Sequence, residues 1–379
     1  MRRKIWKTAA LLGLASAVAF IHTPLLAENS GNLRIAVVDV EGGAAVLFVT
    51  PEGKSLLIDA GWAPGRGGRP ATTGGAPSAP PTSSAERIAA AAASLGIKRF
   101  DYLMMTHYHA DHVGGVESLL KRVPADTFID HGPNREQLPP NPDPRELAIA
   151  PVMLYPFWAA AIDGRPRISA KAGQILRIGT LQVQFVSSDG AVLDGPLPGA
   201  GAPNPLCAGV PKMDADGGEE NVRSLGVLIT FGKTRILDLG DLTWNKEMEL
   251  LCPTNKIGKV DLYFVTGHGM DISSSPPTAA LDPLVAVMEN GPTKGSDEAV
   301  VKTIHTYPDL EGLWRAHASR KTPELNGDPN YLANLDQQPD HAYPIDIEIT
   351  PAGKITVTNE RNQFSKIYTS RDAQASARH

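Results

Sequence analysis

The sequence has little cysteine, no excess of basic residues and only one long apolar run. Its two cysteines, Cys207 and Cys252, do not resemble a zinc–thiolate motif, in which paired ligands sit about two to four residues apart. A formal net charge of -5 gives no broad basic field for nucleic acid. The glycine-rich stretches lack the Walker spacing, and no repeat of about 20 to 50 residues is visible. These absences argue against thiolate zinc modules, P-loop proteins and solenoids.

The apolar run lies at the N-terminus. A basic segment at residues 2–7 precedes a 13-residue apolar stretch at 9–21, and Leu25-Leu26-Ala27 precedes Glu28. This pattern predicts a signal peptide over residues 1–27 and a mature protein in the periplasm or outside the cell. The alternative is a retained membrane anchor, although 13 residues are short against the roughly 20 that span a bilayer. No membrane span is expected after cleavage.

An oxidising compartment would allow Cys207 and Cys252 to form a disulfide. Such a bridge would tie a Gly/Pro-rich insertion to the body of the fold. The alternative is a pair of buried thiols.

Residues 28–379 are predicted to form a single domain in which strands alternate with helices. Three Gly/Pro-rich or polar segments, near 63–84, 132–150 and 190–218, are predicted surface insertions. Trp314 and His317 are interpreted as one face of a helix, either a lid or a packed helix, because they are spaced i, i+3. The strands are predicted at 33–40, 44–50, 55–59, 100–105, 127–129, 176–178, 181–186, 224–231, 234–239, 260–265, 345–350 and 354–358, and the main helices at 84–95, 116–122, 244–251 and 283–289.

Four candidate metal ligands lie within one run of six residues. His107-Tyr108-His109-Ala110-Asp111-His112 places three imidazoles and a carboxylate directly after the apolar segment 102–105. These are the donors that zinc and its borderline neighbours prefer. Asp241 and His268 each follow the end of a predicted strand. The run therefore predicts a metal site in a loop that faces a cleft.

Four motifs in this order resemble the metallo-β-lactamase superfamily: Leu56-Leu57-Ile58-Asp59-Ala60-Gly61, the segment Thr106 to Gly115 around the histidines, Leu239-Gly240-Asp241 and Gly267-His268-Gly269. The opening Asp39-Val40-Glu41-Gly42-Gly43 is similar to the branch related to the metallo-hydrolase domain of competence proteins. The resemblance runs from about residue 33 to 270. It implies an α+β fold, a four-layer αββα sandwich with the metal cleft along one edge of its two sheets.

The resemblance also implies a role for each residue. One or two divalent ions are expected, zinc foremost, with manganese or iron also suited to these donors. Asp59 would orient a ligand from nearby, and Asp111 would have a second role as the catalytic residue that orients the attacking hydroxide and protonates the leaving group. The implied ligands are His107 and His109 for the first metal, Asp111, His112 and His268 for the second, and Asp241 as the bridge.

This chain departs from the family pattern at two places. The third histidine of the first metal usually follows the hairpin strand, but residues 181–186 are followed here by Ser187-Ser188-Asp189-Gly190. In the second departure, Gly267 stands where the branch often carries a histidine. The first site is either weak, leaving a single working metal, or completed by another residue, for which the candidates are Asp189, His131 and Glu220-Asn221.

A divalent cation lowers the pKa of bound water from 15.7 to about 7 and so supplies hydroxide at neutral pH. The sequence therefore predicts a secreted or periplasmic metal-dependent hydrolase that uses a metal-bound hydroxide on a small ester or phosphodiester substrate. One alternative is a periplasmic β-lactamase or lactonase. Another is a binding protein that kept the pocket but lost turnover, as the missing histidine and Gly267 would allow. Lys294 is interpreted either as a contact for an anionic substrate or as part of a surface turn.

Overall fold

A computed structural model describes residues 31–65, 83–138, 140–214, 216–335 and 341–377. The predicted signal peptide and most of the insertion near 63–84 lie outside these residues. Within the described ranges, no helix is both long enough and apolar enough to cross a bilayer.

The strands are numbered β1 to β18 along the chain and form two nine-stranded sheets. The first sheet has the order β18-β17-β16-β1-β2-β3-β4-β5-β6. Its pairs from β3 to β6 are parallel and the others are antiparallel. Its strands are β1 Leu33–Val37, β2 Val46–Val49, β3 Ser55–Ile58, β4 Phe100–Met104, β5 Ala125–Asp130, β6 Arg167–Ser169, β16 Ile345–Ile349, β17 Lys354–Asn359 and β18 Phe364–Thr369.

The second sheet has the order β15-β14-β13-β12-β11-β10-β8-β7, with β9 paired to β8. Its pairs from β11 to β15 are parallel, and those from β7 to β11 are antiparallel. Its strands are β7 Ile175–Ile178, β8 Leu181–Ser188, β9 Ala191–Val192, β10 Gly226–Phe231, β11 Thr234–Asp238, β12 Leu262–Phe264, β13 Val285–Met288, β14 Gly312–His317 and β15 Leu332–Asn334.

Side-chain alternation along the strands creates the layers. In β1, Ile35 and Val37 pack into the core between the sheets, whereas Ala36 faces a second core under the helices. In β11, Ile236 and Leu237 divide in the same way between the central core and a third core on the far side of the second sheet. The predicted α+β, four-layer αββα sandwich is therefore confirmed.

The helices cover the outer faces of the two sheets. Ser83 caps α1 through a capping box with Glu86, which satisfies the free N–H groups of the first turn. Helices α1, α3 and α5 contribute to the core on the first sheet, and α6 and α7 to the core on the second. The eight α-helices of the described residues are α1 Ser84–Ser94, α2 Ala110–Val113, α3 Val116–Leu120, α4 Pro144–Leu147, α5 Pro151–Ile162, α6 Trp244–Leu251, α7 Glu298–Ile304 and α8 Arg371–Ala377.

Two predicted helices are wrong. Residues 283–289 contain β13, a strand buried at every position, and Trp314 and His317 lie on β14. A continuous apolar run in a parallel strand has no period that separates it from a buried helix, which explains the first error. On a strand, residues three apart point to opposite faces, so Trp314 and His317 share none.

Cys207 and Cys252 form a disulfide whose partners are 45 residues apart in sequence. Asn204 reinforces the same junction, because its side-chain amide donates to the carbonyl oxygens of Leu251 and Pro277, both at 3.1 Å. Of the two alternatives, a disulfide or two buried thiols, the structure has the disulfide, and it fastens the insertion near 190–218 to the end of α6.

Candidate metal centre

Asp59 and the histidine run are brought together by two parallel strands. Because β3 and β4 are neighbours, their carboxyl ends meet at the same edge of the sheet. Asp59, just after β3, accepts hydrogen bonds from the backbone N–H and the hydroxyl of Thr106 at 2.8 and 2.7 Å. Helix α2 then begins at Ala110 and carries Asp111 and His112 into the cleft.

Four predicted ligands converge at this edge. The donor atoms of Asp111, His112, Asp241 and His268 all lie within 4.8 Å of one another, and all four residues are buried. His268 Nε2 lies 3.1 Å from Asp111 Oδ2 and 3.2 Å from Asp241 Oδ1. His112 Nε2 lies 3.3 and 3.4 Å from the same two oxygens. We call these four residues the assembled half of the centre.

Hydrogen bonds at the far side of each ring fix the tautomers of the two imidazoles. His112 Nδ1 donates to Asp59 Oδ2 at 2.7 Å, and His268 Nδ1 donates to the backbone carbonyl of Glu289 at 3.1 Å. In the neutral form of each ring, which a metal ligand requires, Nε2 is therefore the atom that carries the lone pair. Asp59 thus has the position that the sequence predicts for it, behind His112.

The charges of this cluster are strongly coupled. Burial alone would lower the pKa of His112, but the carboxylates of Asp241 and Asp59 outweigh burial and raise this pKa to about 10. Burial would raise the pKa of Asp241, but His268 and His112 hold it well below its usual value. Without an ion, His112 therefore carries a proton at neutral pH, and a bound cation must displace that proton.

The loop that carries His268 explains Gly267. Gly267 has φ +61°, and a Cβ there would lie 2.7 Å from Ser273 Oγ. A histidine at this position would be strained and would crowd Ser273, so both the backbone conformation and the close contact favour glycine. His268 follows with φ 56°, an unusual conformation for a non-glycine residue that aims its ring at Asp111 and Asp241.

His107 and His109, which we call the open half, lie beside the assembled half without joining it. His107 Nε2 is 4.0 Å from Asp241 Oδ2 and has no hydrogen-bond partner among the described residues. Burial, together with His112 and His109, lowers the pKa of His107 well below its ordinary value. His109 is partly exposed, and its Nε2 lies 4.0 Å from Glu136 Oε2.

None of the candidates for the missing third ligand is placed against the open half by a hydrogen bond or ion pair among the described residues. Asp189 pairs with Arg135 at 2.6 Å and with Arg223 at 2.8 Å. His131 Nε2 lies 2.9 Å from Glu220, whose carboxylate also accepts the backbone N–H of Tyr108. Asn221 is buried, and its side-chain oxygen has no hydrogen-bond partner in the described part of the chain.

Three acidic residues near the site were missed in the sequence. Burial raises the pKa of Asp238 to about 6 and that of Glu289 to about 8, and both line a small cavity with Asp241 and His268. The sequence feature that could have identified these two residues is their position at the ends of strands. Asp238 is the last residue of β11, and Glu289 directly follows β13. Glu136 lies in the polar insertion near 132–150, where no sequence pattern marks it.

Lys294 lies in the cleft. Its ammonium group contacts Asp111 Oδ2 and lies 5.4 Å from the centre of the Trp62 ring. The side chain keeps 26% of its surface exposed, and desolvation lowers its pKa to about 7. Lys294 therefore lies in the cleft against Asp111, and a contact with an anionic substrate stays a prediction.

Residues 39–202 match the family model described as the metallo-beta-lactamase superfamily. The chain has the metallo-β-lactamase fold. The predicted resemblance to this superfamily is thereby confirmed, whereas the match does not distinguish the competence-protein branch. A comparison with curated protein sequences finds no significant match.

Solved structures of this fold are similar to the chain at low sequence identity. The metallo-β-lactamase fold protein YhfI from Bacillus subtilis is 14% identical, with a TM-score of 0.43 over 76% of this chain and 97% of that one. A diphosphatase of the PhnP family is 12% identical, with a TM-score of 0.38 over 84% and 98%. The diiron β-hydroxylase CmlA from Streptomyces venezuelae is 16% identical, with a TM-score of 0.34 over 66% and 44%.

The assembled half suits a divalent cation. Two imidazole nitrogens and two carboxylates form a donor set that zinc, iron and manganese all accept. The family consists mostly of metal-dependent enzymes, and the residues present fit that chemistry. The open half offers two further nitrogens, but no third donor completes it among the described residues.

Proposed function

We propose that the protein is an exported metal-dependent hydrolase that acts on an ester or phosphodiester of a small molecule. The observation that carries the proposal is the convergence of Asp111, His112, Asp241 and His268 within 4.8 Å. These four residues would hold one ion, with zinc the first candidate, and His107 with His109 would hold a second, weaker one. When bound, the ion supplies Lewis acidity at this edge of the sheets.

The side chains around the ion have distinct tasks. Asp111, held between His268 and Lys294, is positioned to orient the attacking water and to return a proton to the leaving group. Asp59 accepts from His112 Nδ1 and so keeps Nε2 as the nitrogen that would bind the ion. Lys294 places a positive charge where negative charge develops on the substrate. The competence-protein branch, suggested by residues 39–43, favours phosphodiesters and stays a prediction.

Export is part of the proposal. The residues predicted as a signal peptide lie outside the described part of the chain, so the support comes from elsewhere. The Cys207–Cys252 disulfide is the kind of bond that persists in oxidising compartments such as the periplasm. Sequencing the N-terminus of exported protein tests this point, and we expect it to begin near Glu28.

Metal content and turnover should be measured on the same preparation. We expect at least one tightly bound ion per chain and hydrolysis of a nitrophenyl ester or a nitrophenyl phosphodiester, with a lactone and a chromogenic β-lactam as the competing classes. Asp111→Asn should lower kcat per bound ion at least about 100-fold. Asp126→Asn is the matched control, since Asp126 is an exposed residue paired with Arg99 on the surface.

The result also separates hydrolysis from simple binding. A protein that holds a full ion and turns over none of the four substrate classes would favour the binding protein instead, a reading motivated by the incomplete open half. A protein that binds no added ion would contradict both.

A further inference from the structure

A cavity of about 230 Å³ opens beside the metal centre, and His109 forms part of its wall. Most of the other wall comes from the insertion near 132–150 and the start of α5, through Leu138, Leu147, Ile149 and Pro151. The proposed hydrolytic chemistry uses none of these apolar residues. The cavity therefore needs an explanation of its own.

The walls are apolar and open to solvent. Leu138 keeps 37% of its surface exposed and Ile149 keeps 38%. Exposed apolar surface that is contiguous and concave usually marks a place where a ligand is buried. His109 belongs both to this wall and to the open half of the centre. A substrate whose reacting group lies at the centre could therefore place a neighbouring group in this cavity.

The acidic group among the described lining residues is the carboxylate of Glu136. Its Oε2 lies only 4.0 Å from His109 Nε2, and the same oxygen accepts the backbone N–H of Glu220 at 3.3 Å. No lysine or arginine is among the described lining residues. The nearby cation, Lys294, lies against Asp111 and is not part of this wall.

We propose that this cavity binds the uncharged apolar acyl group of a carboxylic ester, including a lactone. The inference rests on the proposed hydrolase function and narrows its substrate. Water adds to the ester carbonyl carbon, the carbon–oxygen bond to the alcohol breaks, and the alcohol oxygen takes the proton, giving an acid and an alcohol. An apolar cavity of about 150 Å³ accepts a benzene ring. The volume here suits a ring or a chain of about four to eight carbons.

The first test is a chain-length series. With the metal-loaded full chain, we expect kcat/KM for nitrophenyl esters to rise about threefold for each methylene from acetate to hexanoate, as each methylene leaves water. Ile149→Asp should flatten this gradient. Ile367→Asp, at an isoleucine that is 58% exposed on β18, should leave the gradient as in the unmodified protein. A flat gradient in the unmodified protein, or a steep one in Ile149→Asp, would overturn the proposal.

A second measurement does not depend on turnover. Hexanamide and acetamide are neutral and resist hydrolysis, and their binding is measured by ligand-observed NMR on the metal-loaded chain. We expect hexanamide to bind at least about tenfold more tightly than acetamide, and Ile149→Asp to remove the difference while Ile367→Asp keeps it.

The two measurements separate the possible failures. If neither the esters nor the nitrophenyl phosphodiester is hydrolysed but the amides differ as expected, the hydrolase assignment fails and the acyl site stands. If esters are hydrolysed without a gradient and the two amides bind equally, the acyl site fails and the hydrolase stands.

Discussion

Both halves of the metal centre include residues from one six-residue run, yet they differ in how the fold supports them. The assembled half draws Asp241 and His268 from loops after β11 and β12 and so uses both sheets. The open half has only His107 and His109, from the loop after β4. Its expected partner would follow β8, where Asp189 is paired with two arginines instead. Donors on a single loop do not make a closed site unless a second element supplies the remaining ligand.

Removing Asp241 should have the largest effect, because its carboxylate lies between the two halves. Asp241 Oδ1 contacts His268 and His112, and Oδ2 lies 4.0 Å from His107. We expect Asp241→Ala to lose the bound ion and to lower kcat/KM at least about 100-fold, which exceeds the usual effect of a supporting residue. Metal analysis and ester or phosphodiester hydrolysis measure the two losses.

His109→Ala is the informative counterpart. It should keep the tightly bound ion, since His109 does not belong to the assembled half. If His109→Ala loses the ion as completely as Asp241→Ala does, the distinction between the halves is wrong.

The next largest effect is expected at Asp59. Asp59→Asn keeps the shape of the side chain but weakens the hydrogen bond that orients His112 and removes the charge that faces it. We expect metal affinity to fall about 10-fold to 100-fold, in line with other residues that orient a ligand. Competition with a chelator measures the metal affinity of the variant relative to the unmodified protein. Asp126→Asn, a substitution at an exposed residue, should leave this affinity unchanged. An unchanged affinity in Asp59→Asn would mean that Asp59 only shapes its turn.

Sequence patterns predicted the assembled half better than its surroundings. Its ligands sit in short motifs at strand ends, and the apolar alternation that places those ends is local information. Glu289 was missed because β13 is a continuous apolar run without a period of two. Glu136 was missed for another reason, since an insertion without periodicity gives no indication of which residue folds back onto His109. Contacts between distant loops depend on tertiary packing, which no local pattern encodes.

A third prediction concerns the loop that brings His268 to the centre. Glu247 on α6 is fully buried and accepts the backbone N–H groups of Ser274 and Ser275 at 3.0 and 2.8 Å. Burial raises the pKa of Glu247 to about 7. Because the pKa is higher in the folded protein than in the unfolded chain, protonation of Glu247 stabilises the fold. This stabilisation is complete at a pH below the pKa of the unfolded chain, 4.5, and it is lost as the pH rises toward 7.

Glu247→Gln should remove this pH dependence. Between pH 4.5 and 7 the unmodified protein should lose up to about 3 kcal/mol of unfolding free energy relative to the variant, from 1.36 kcal/mol per pKa unit. Urea unfolding across this range gives the difference, and the other buried carboxylates cancel because both proteins contain them. Parallel curves for the two proteins would show that Glu247 is already ionised in the fold.

The smallest effect is expected at Asp189, and it decides whether the open half has a hidden partner. Its carboxylate is held by Arg135, which is about half exposed, and by Arg223, so its removal should cost within about 1 kcal/mol of stability. We expect Asp189→Ala to keep the metal content and the kcat per bound ion of the unmodified protein. Loss of a second ion from Asp189→Ala, measured as a change in stoichiometry, would instead show that Asp189 leaves its arginines to complete the first site. The open half would then take its third ligand from the loop after β8, as the assembled half takes Asp241 and His268 from loops outside the histidine run.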